Sequence, residues 1–169
     1  MARPNITDYP EYFATYINKV PEDDLNEALK NQSLILPGLF NSISEEKSKF
    51  VYAEGKWSIK ELLQHLIDAE RIFCYRALCI ARKETTSLPG FDENTYAANS
   101  NGNARKWQSL VDEFMRARRS TEDLYSSFTE EMFWHKGLSN NNPVTPLSFG
   151  FITVGHFYHH KKILEERYL

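Results

Sequence analysis

Residues 58–83, SIKELLQHLIDAERIFCYRALCIARK, specify one long amphipathic helix. Ser58 is suited to cap its first turn, and Glu61 three residues on completes a capping box. Trp57 before the cap and Leu62 at the fourth helical position have the spacing of a hydrophobic staple. Leu62, Leu66, Ala69 and Phe73 then form an apolar stripe. A helix of that length with one apolar face needs partners of similar length, and the chain supplies three. PEDDLNEALKNQSLILPGLFNSISEE, residues 21–46, opens with proline and acids and carries Leu25, Leu29, Leu36, Leu39, Phe40 and Ile43 at mostly helical steps. Pro37-Gly38 inside it predicts a kink or a break. Residues 104–128 carry Trp107, Leu110, Val111, Phe114, Ala117 and Leu124. The last segment runs from Pro146 to Tyr168, with Thr145 as its cap and Pro146 at the first helical position.

Breaker clusters separate these segments. A short leading helix is expected over residues 9–19, stopping near Pro21. Residues 85–104 are rich in turn formers and predict a long loop, and loops of that length in a small domain often carry function. A short turn is expected at Glu130–Trp134, and a second loop follows it. No stretch alternates strongly enough to demand a sheet. The expectation is therefore an all-α protein: an antiparallel four-helix bundle with a short N-terminal helix and long connecting loops, forming a single domain over residues 1–169.

The chemistry follows from the last helix. On a helical wheel Phe149, Ile152, His156, His160 and Ile163 fall on one narrow stripe, at steps of 3, 4, 4 and 3. Histidines four apart stack on one side of a helix and can converge on one metal ion. Left alone among hydrocarbon they would be costly. A third imidazole is available at His65, on the flank of the stripe in the second long helix. Three histidines leave positions open for water or substrate, the pattern of a catalytic metal site. His159 falls about 60° to one side and is expected at the rim. Asp68 either bonds an imidazole or stays solvated. His135 lies in a polar connection and is expected at the surface.

Bulk properties narrow the rest. The formal charge of −3 argues against general nucleic-acid binding. No apolar run approaches membrane-spanning length, and MARPNITDYPEYF lacks the apolar core of a secretory signal, so a cytoplasmic protein is expected. Cys74 and Cys79 are five apart on one helix, on different faces, which disfavours a mutual disulfide; both are expected to serve as packing. The glycosylation match Asn5-Ile6-Thr7 is then a chance match.

WSIKELLQHLIDAER followed much later by GHFYHHKKIL resembles the DinB-like (DinB/YfiT) superfamily of bacterial helical bundles, with one histidine in the second bundle helix and an H-x-x-x-H pair in the last. The LPGFDENTY loop is similar to one subgroup of it, and the likeness runs over roughly residues 25–169. It implies a four-helix bundle, often dimeric, that binds a divalent metal through His65, His156 and His160. Members with assigned activity include bacillithiol S-transferases and mycothiol-dependent maleylpyruvate isomerases. The expected reaction is therefore activation of a low-molecular-weight thiol for S-transfer to an electrophile, since a coordinated thiol loses its proton. The alternative is a hydrolase that uses metal-bound water; Asp92 and Glu93 of the long loop are candidates for its base, although an Asp/Glu pair in such a loop is expected first as a surface turn. A third option is a non-enzymatic stress-response module. Zinc is the first choice of metal and nickel the second. His159, Asp68 and Asp92 are candidates for positions around the ligands or in the pocket. Arg71, Arg76 and Arg82 either hold an anionic thiol or, as expected here, form a solvated face. A small-molecule substrate and a homodimer complete the expectation.

Overall fold

The computed structural model describes residues 3–169; the first two positions of the expected 1–169 domain and of the N-terminal stretch lie outside it. Seven α-helices follow in order: α1 (Ala14–Ile17), α2 (Leu25–Asn41), α3 (Ile59–Ala81), α4 (Glu93–Asn99), α5 (Trp107–Ser126), α6 (Glu130–Phe133) and α7 (Pro146–Ile163). A π-helical turn, Leu164–Tyr168, extends α7. The expected caps are in place. Ser58 Oγ accepts from Glu61 N at 3.1 Å, Glu61 Oε2 accepts from Ser58 N at 2.8 Å, and Thr145 Oγ1 accepts from Ser148 N at 3.2 Å. Among the described residues no helix is long and apolar enough to cross a membrane.

The long helices α2, α3, α5 and α7 form a four-helix bundle whose directions can be read from side-chain pairs. Along α3 and α7, His65 meets His156 while Phe73 meets Phe149, so these two run antiparallel. Along α2 and α5, Gln32 meets Arg118 while Phe40 meets Trp107, again antiparallel. Within that frame α3 and α5 run the same way, because Gln64 meets Arg105 and Cys74 meets Thr121. A parallel return needs a connection that spans the bundle, about 35 Å for a helix of this length. That is the physical reason for the long segment between α3 and α5.

Three expectations are corrected. The helix α2 runs unbroken through Pro37. Proline removes one backbone donor, and burial of Leu36 and Phe40 on either side holds the helix together. The segment after α3 is not wholly a loop, since it contains α4, capped by Asp92 Oδ1 accepting from Thr95 N at 2.6 Å. A small antiparallel hairpin also forms, β1 (Gly137–Ser139) with β2 (Asn142–Val144). Asn140 and Asn141 turn it in left-handed conformation, at φ of 50° and 60°. Leu88 joins its edge: Leu88 N donates to Leu138 O at 2.9 Å and Asn140 N to Leu88 O at 2.8 Å. Strands this short leave no alternation to detect in a sequence.

One polar network ties all four long helices together inside the core. Arg118 of α5 donates from Nε and Nη2 to the two carboxylate oxygens of Glu70 on α3, at 2.7 and 2.9 Å, and also to Gln32 of α2. Gln32 in turn donates to Val154 O of α7 at 2.9 Å, and Thr121 donates to Glu70 at 2.7 Å. The guanidinium lies 5.6 Å from the Phe114 ring and 5.9 Å from the Phe157 ring.

The leading helix α1 is held where α7 has no side chain. A Cβ on Gly155 would lie 2.1 Å from Tyr16 O, well inside contact distance. Replacing Gly155 with alanine should therefore push α1 off α7. The expected cost is about 1–3 kcal/mol, typical of overpacking against groups that cannot retreat. Chemical denaturation of the two proteins measures it; an unchanged midpoint would mean that α1 is not seated on this helix.

Candidate metal centre

Packing of α3 against α7 brings three imidazoles to one point. His65 Nε2 lies 3.0 Å from His156 Nε2, and His160 Nε2 lies 3.1 Å from the same atom. The ligand nitrogens of all three lie within 4.8 Å of one another, a group that can hold a metal ion. The antiparallel register of the helices sets the match in height: one turn-pair of α7 faces a single residue of α3. His65 and His156 are each only 6% exposed, and His160 is half-buried.

The donor chemistry fits a cation. Each ring nitrogen has either one proton or one lone pair, so His156 Nε2 cannot make two good hydrogen bonds at once. Three nitrogens around one ion at about 2.05 Å in tetrahedral geometry would be about 3.3 Å apart; two of the pairs here lie at 3.0 and 3.1 Å and all three nitrogens within 4.8 Å. Burial, and then the neighbouring imidazoles, hold His156 and His160 well below the usual histidine pKa. Burial holds His65 down at about 4. All three are therefore neutral near pH 7, as ligands must be. An all-imidazole set suits zinc, nickel, copper or iron and not the oxygen-seeking ions.

These shifts make the metal-free protein acid-labile. A histidine with a folded pKa below its unfolded value takes up a proton on unfolding, so stability rises with pH across that window. The contribution is fully present above about 6.5 and is lost as pH falls toward 4. Each such histidine contributes a slope of about 1.4 kcal/mol per pH unit inside the window. Denaturant melts of chelator-treated protein between pH 7 and 4.5 should show that loss, and a flat profile would contradict it.

A cavity of about 650 Å³ opens onto the cluster. Trp57 packs at a tilt against His65 with ring centres 4.8 Å apart, and Tyr16 packs edge-on against His156 at 5.3 Å. Phe73 also packs edge-on with His156, at 5.6 Å. The Tyr16 hydroxyl is 3.0 Å from that of Tyr12, and burial raises its pKa, so it keeps its proton.

The other candidates from the sequence separate clearly. His159 lines the cavity, its ring 5.4 Å from Tyr16 and 5.0 Å from His160. Asp68 accepts from Gln64 Nε2 at 2.9 Å and does not line the cavity. Three residues along a helix turn it some 60° away from His65. Asp92 is an exposed cap for α4, with its charge spent on backbone N–H groups, while the adjacent Glu93 lines the cavity. His135 is half-buried, not at the surface, with Nδ1 3.1 Å from Ala81 O. Cys74 and Cys79 are unpaired and half-buried, and burial pushes the Cys74 thiol up to about 12. Arg71 pairs with Glu113 at 2.7 Å and Arg82 is exposed, as a solvated face requires. Arg76 departs from that expectation: it is buried and lines the cavity. Tyr16, Arg76 and Asn140 reach the site from elements whose placement no local pattern encodes; an arginine eleven residues after His65, three turns along the same face, was the one available hint.

The fold and site define an all-α bundle with a buried three-histidine cluster, able to hold a divalent ion, at the base of a cavity. The chain belongs to the DinB superfamily, whose family model matches residues 29–164. It is 28% identical over 88 residues to a curated protein of Oceanobacillus iheyensis named "Putative metal-dependent hydrolase", an alignment covering 50% of this chain and 51% of that one. The match thus spans about half the length of that relative. Among solved structures, the chain superposes with a TM-score of 0.74 on YfiT from Bacillus subtilis, described as "a probable metal-dependent hydrolase with an unusual four-helix bundle topology". Identity there is 15%, with 97% of this chain and 90% of that one covered. A mycothiol-dependent maleylpyruvate isomerase follows with a TM-score of 0.66 at 13% identity, covering 85% of this chain and 61% of that one. At these identities the structural likeness establishes the fold.

Proposed function

We propose that this chain is a divalent-metal-dependent enzyme that activates a low-molecular-weight thiol for S-transfer to an electrophile. The observation that carries this reading is three neutral imidazoles, His65, His156 and His160, converging under a cavity of about 650 Å³. That volume lies within the range of small-molecule sites. When bound, a divalent ion supplies Lewis acidity that lowers the pKa of a thiol at its open position. The protein's own part is to keep the imidazoles deprotonated and to exclude water. Trp57, Phe73 and Tyr16 wall the cluster, and the protonated Tyr16 Oη stands ready as a hydrogen-bond donor to an oxygen that gains charge. Transfer forms one carbon–sulfur bond as the leaving group departs, and the thiol proton passes out by the rim, where His159 stands. Zinc is the preferred ion, with nickel second.

Hydrolysis is the second reading, favoured by the place of Glu93 on the cavity wall, where a carboxylate could serve a water nucleophile. Against it, neither Asp68 nor Asp92 reaches the cluster. A purely metal-storing module has no need of a substrate-sized cavity beside its ion. Incubation of zinc-loaded protein with thiols and a reporter electrophile, followed by mass spectrometry, tests the first reading against a panel of esters and amides. A thioether product formed only with metal supports S-transfer. Ester or amide turnover without thiol would replace it with hydrolysis.

A further inference from the structure

Among the described residues the arginine in the cavity wall has no acidic partner. Arg76 is only 6% exposed, and among the described residues its one hydrogen-bond acceptor is Pro89 O, at 2.6 Å from Nη2. Its guanidinium carbon lies 5.6 Å from the Phe91 ring centre. The other deeply buried cations are compensated: Arg118 by Glu70, and Lys60 by Glu45. A buried guanidinium with five N–H donors and one neutral acceptor leaves most of its hydrogen-bonding capacity unused. Glu93 is the one acidic residue among those lining the cavity, and it is exposed on α4 without an ion pair to Arg76.

The position is built, not incidental. Pro89, which Arg76 holds, belongs to the segment tied to the hairpin through Leu88. Gly90 packs beneath Asn140, whose Oδ1 would lie 3.3 Å from a Cβ there. Arg76 follows His65 by three helical turns on the same face of α3, about 16 Å along the axis. Helical side chains lean toward the N-terminus, so the guanidinium sits nearer the histidines than that figure. Phe73 fills the wall between them. The cavity thus has a metal-ligating end, an apolar middle and a cationic end.

We propose that Arg76 binds a carboxylate of the molecule that fills the cavity, so that the substrate is an organic acid with its reactive atom at the histidine end. This inference rests on the cavity being the substrate site, as proposed above. A carboxylate matches the planar fork of a guanidinium and would replace the acidic partner that the protein does not provide.

Calorimetric titration tests it with two pairs of probes. Zinc-loaded protein is titrated with 6-mercaptohexanoate and with its amide, and chelator-treated protein with hexanoate and hexanamide. In each pair the acid should bind at least about 10-fold more tightly than the amide, the effect of a charge-assisted hydrogen bond. Arg76→Gln and Arg76→Met should erase the preference while leaving amide affinity and metal content unchanged; Arg76→Lys should retain part of it. Equal binding of acid and amide, absence of saturable binding by any probe, or a preference that survives in Arg76→Gln would overturn the proposal. If the variants do not fold, the acid-to-amide ratio of the parent decides, and a ratio near one rejects the idea. Failure of the protein to take up zinc would end the metal-enzyme reading but leave the hexanoate preference of metal-free protein to stand or fall by itself.

Discussion

Protein carrying His156→Ala is expected to lose its metal. His156 Nε2 is the nitrogen that both other imidazoles approach, at 3.0 and 3.1 Å, so its removal takes away the centre of the cluster. If ligands share a binding free energy of about 10–16 kcal/mol, losing one of three or four weakens affinity on the order of 100-fold or more. Elemental analysis of purified proteins should find about one equivalent in the parent and almost none in the variant. His159→Ala and Asp68→Ala are the controls. His159 stands at the rim and Asp68 is bonded to Gln64, so both variants should keep the ion. Equal metal content in the parent and His156→Ala would sink the assignment.

Arg118→Met should produce the largest loss of stability. Its guanidinium is paired with Glu70 in the core and also donates to Gln32, and both acceptors are buried, at 4% and 0% exposure. Breaking a buried pair from one side costs about 3–5 kcal/mol, because an uncompensated carboxylate stays behind. For a chain of this size that corresponds to a fall in Tm of roughly 6–20 °C. Replacing both partners, Arg118→Met with Glu70→Leu, should recover much of the loss, since an apolar pair leaves no orphaned charge. Thermal and denaturant unfolding of the three proteins decide it. A double variant as unstable as the single one would show that the network contributes more than charge compensation.

The two experiments probe features of very different legibility. The histidine pair announces itself: an H-x-x-x-H spacing in the middle of an apolar seam is visible on a wheel, and the capping box at Ser58 places His65 two turns into its own helix. The Arg118–Glu70–Gln32 network leaves no such trace. Its members lie 48 and 86 residues apart, and each alone resembles a surface residue on a charged helix. Arg76 was expected among solvated arginines for the same reason. Whether an arginine faces water or a cavity depends on what covers it, and here the cover is the first part of the long connection after α3, fastened by Leu88 to a hairpin around residue 140.

Local chemistry in the chain determined the four long helices, the caps at Ser58 and Thr145, the buried stripe and the three imidazoles, because period, capping and ligand spacing act over a few residues and need no distant partner. Only the tertiary structure decided which way each helix runs, that Pro37 leaves α2 whole, that Asp92 serves as a cap while Glu93 lines the cavity, and that Arg76 is buried without an acidic neighbour. Those outcomes depend on contacts between elements far apart in sequence, where packing and burial set the environment of each charge.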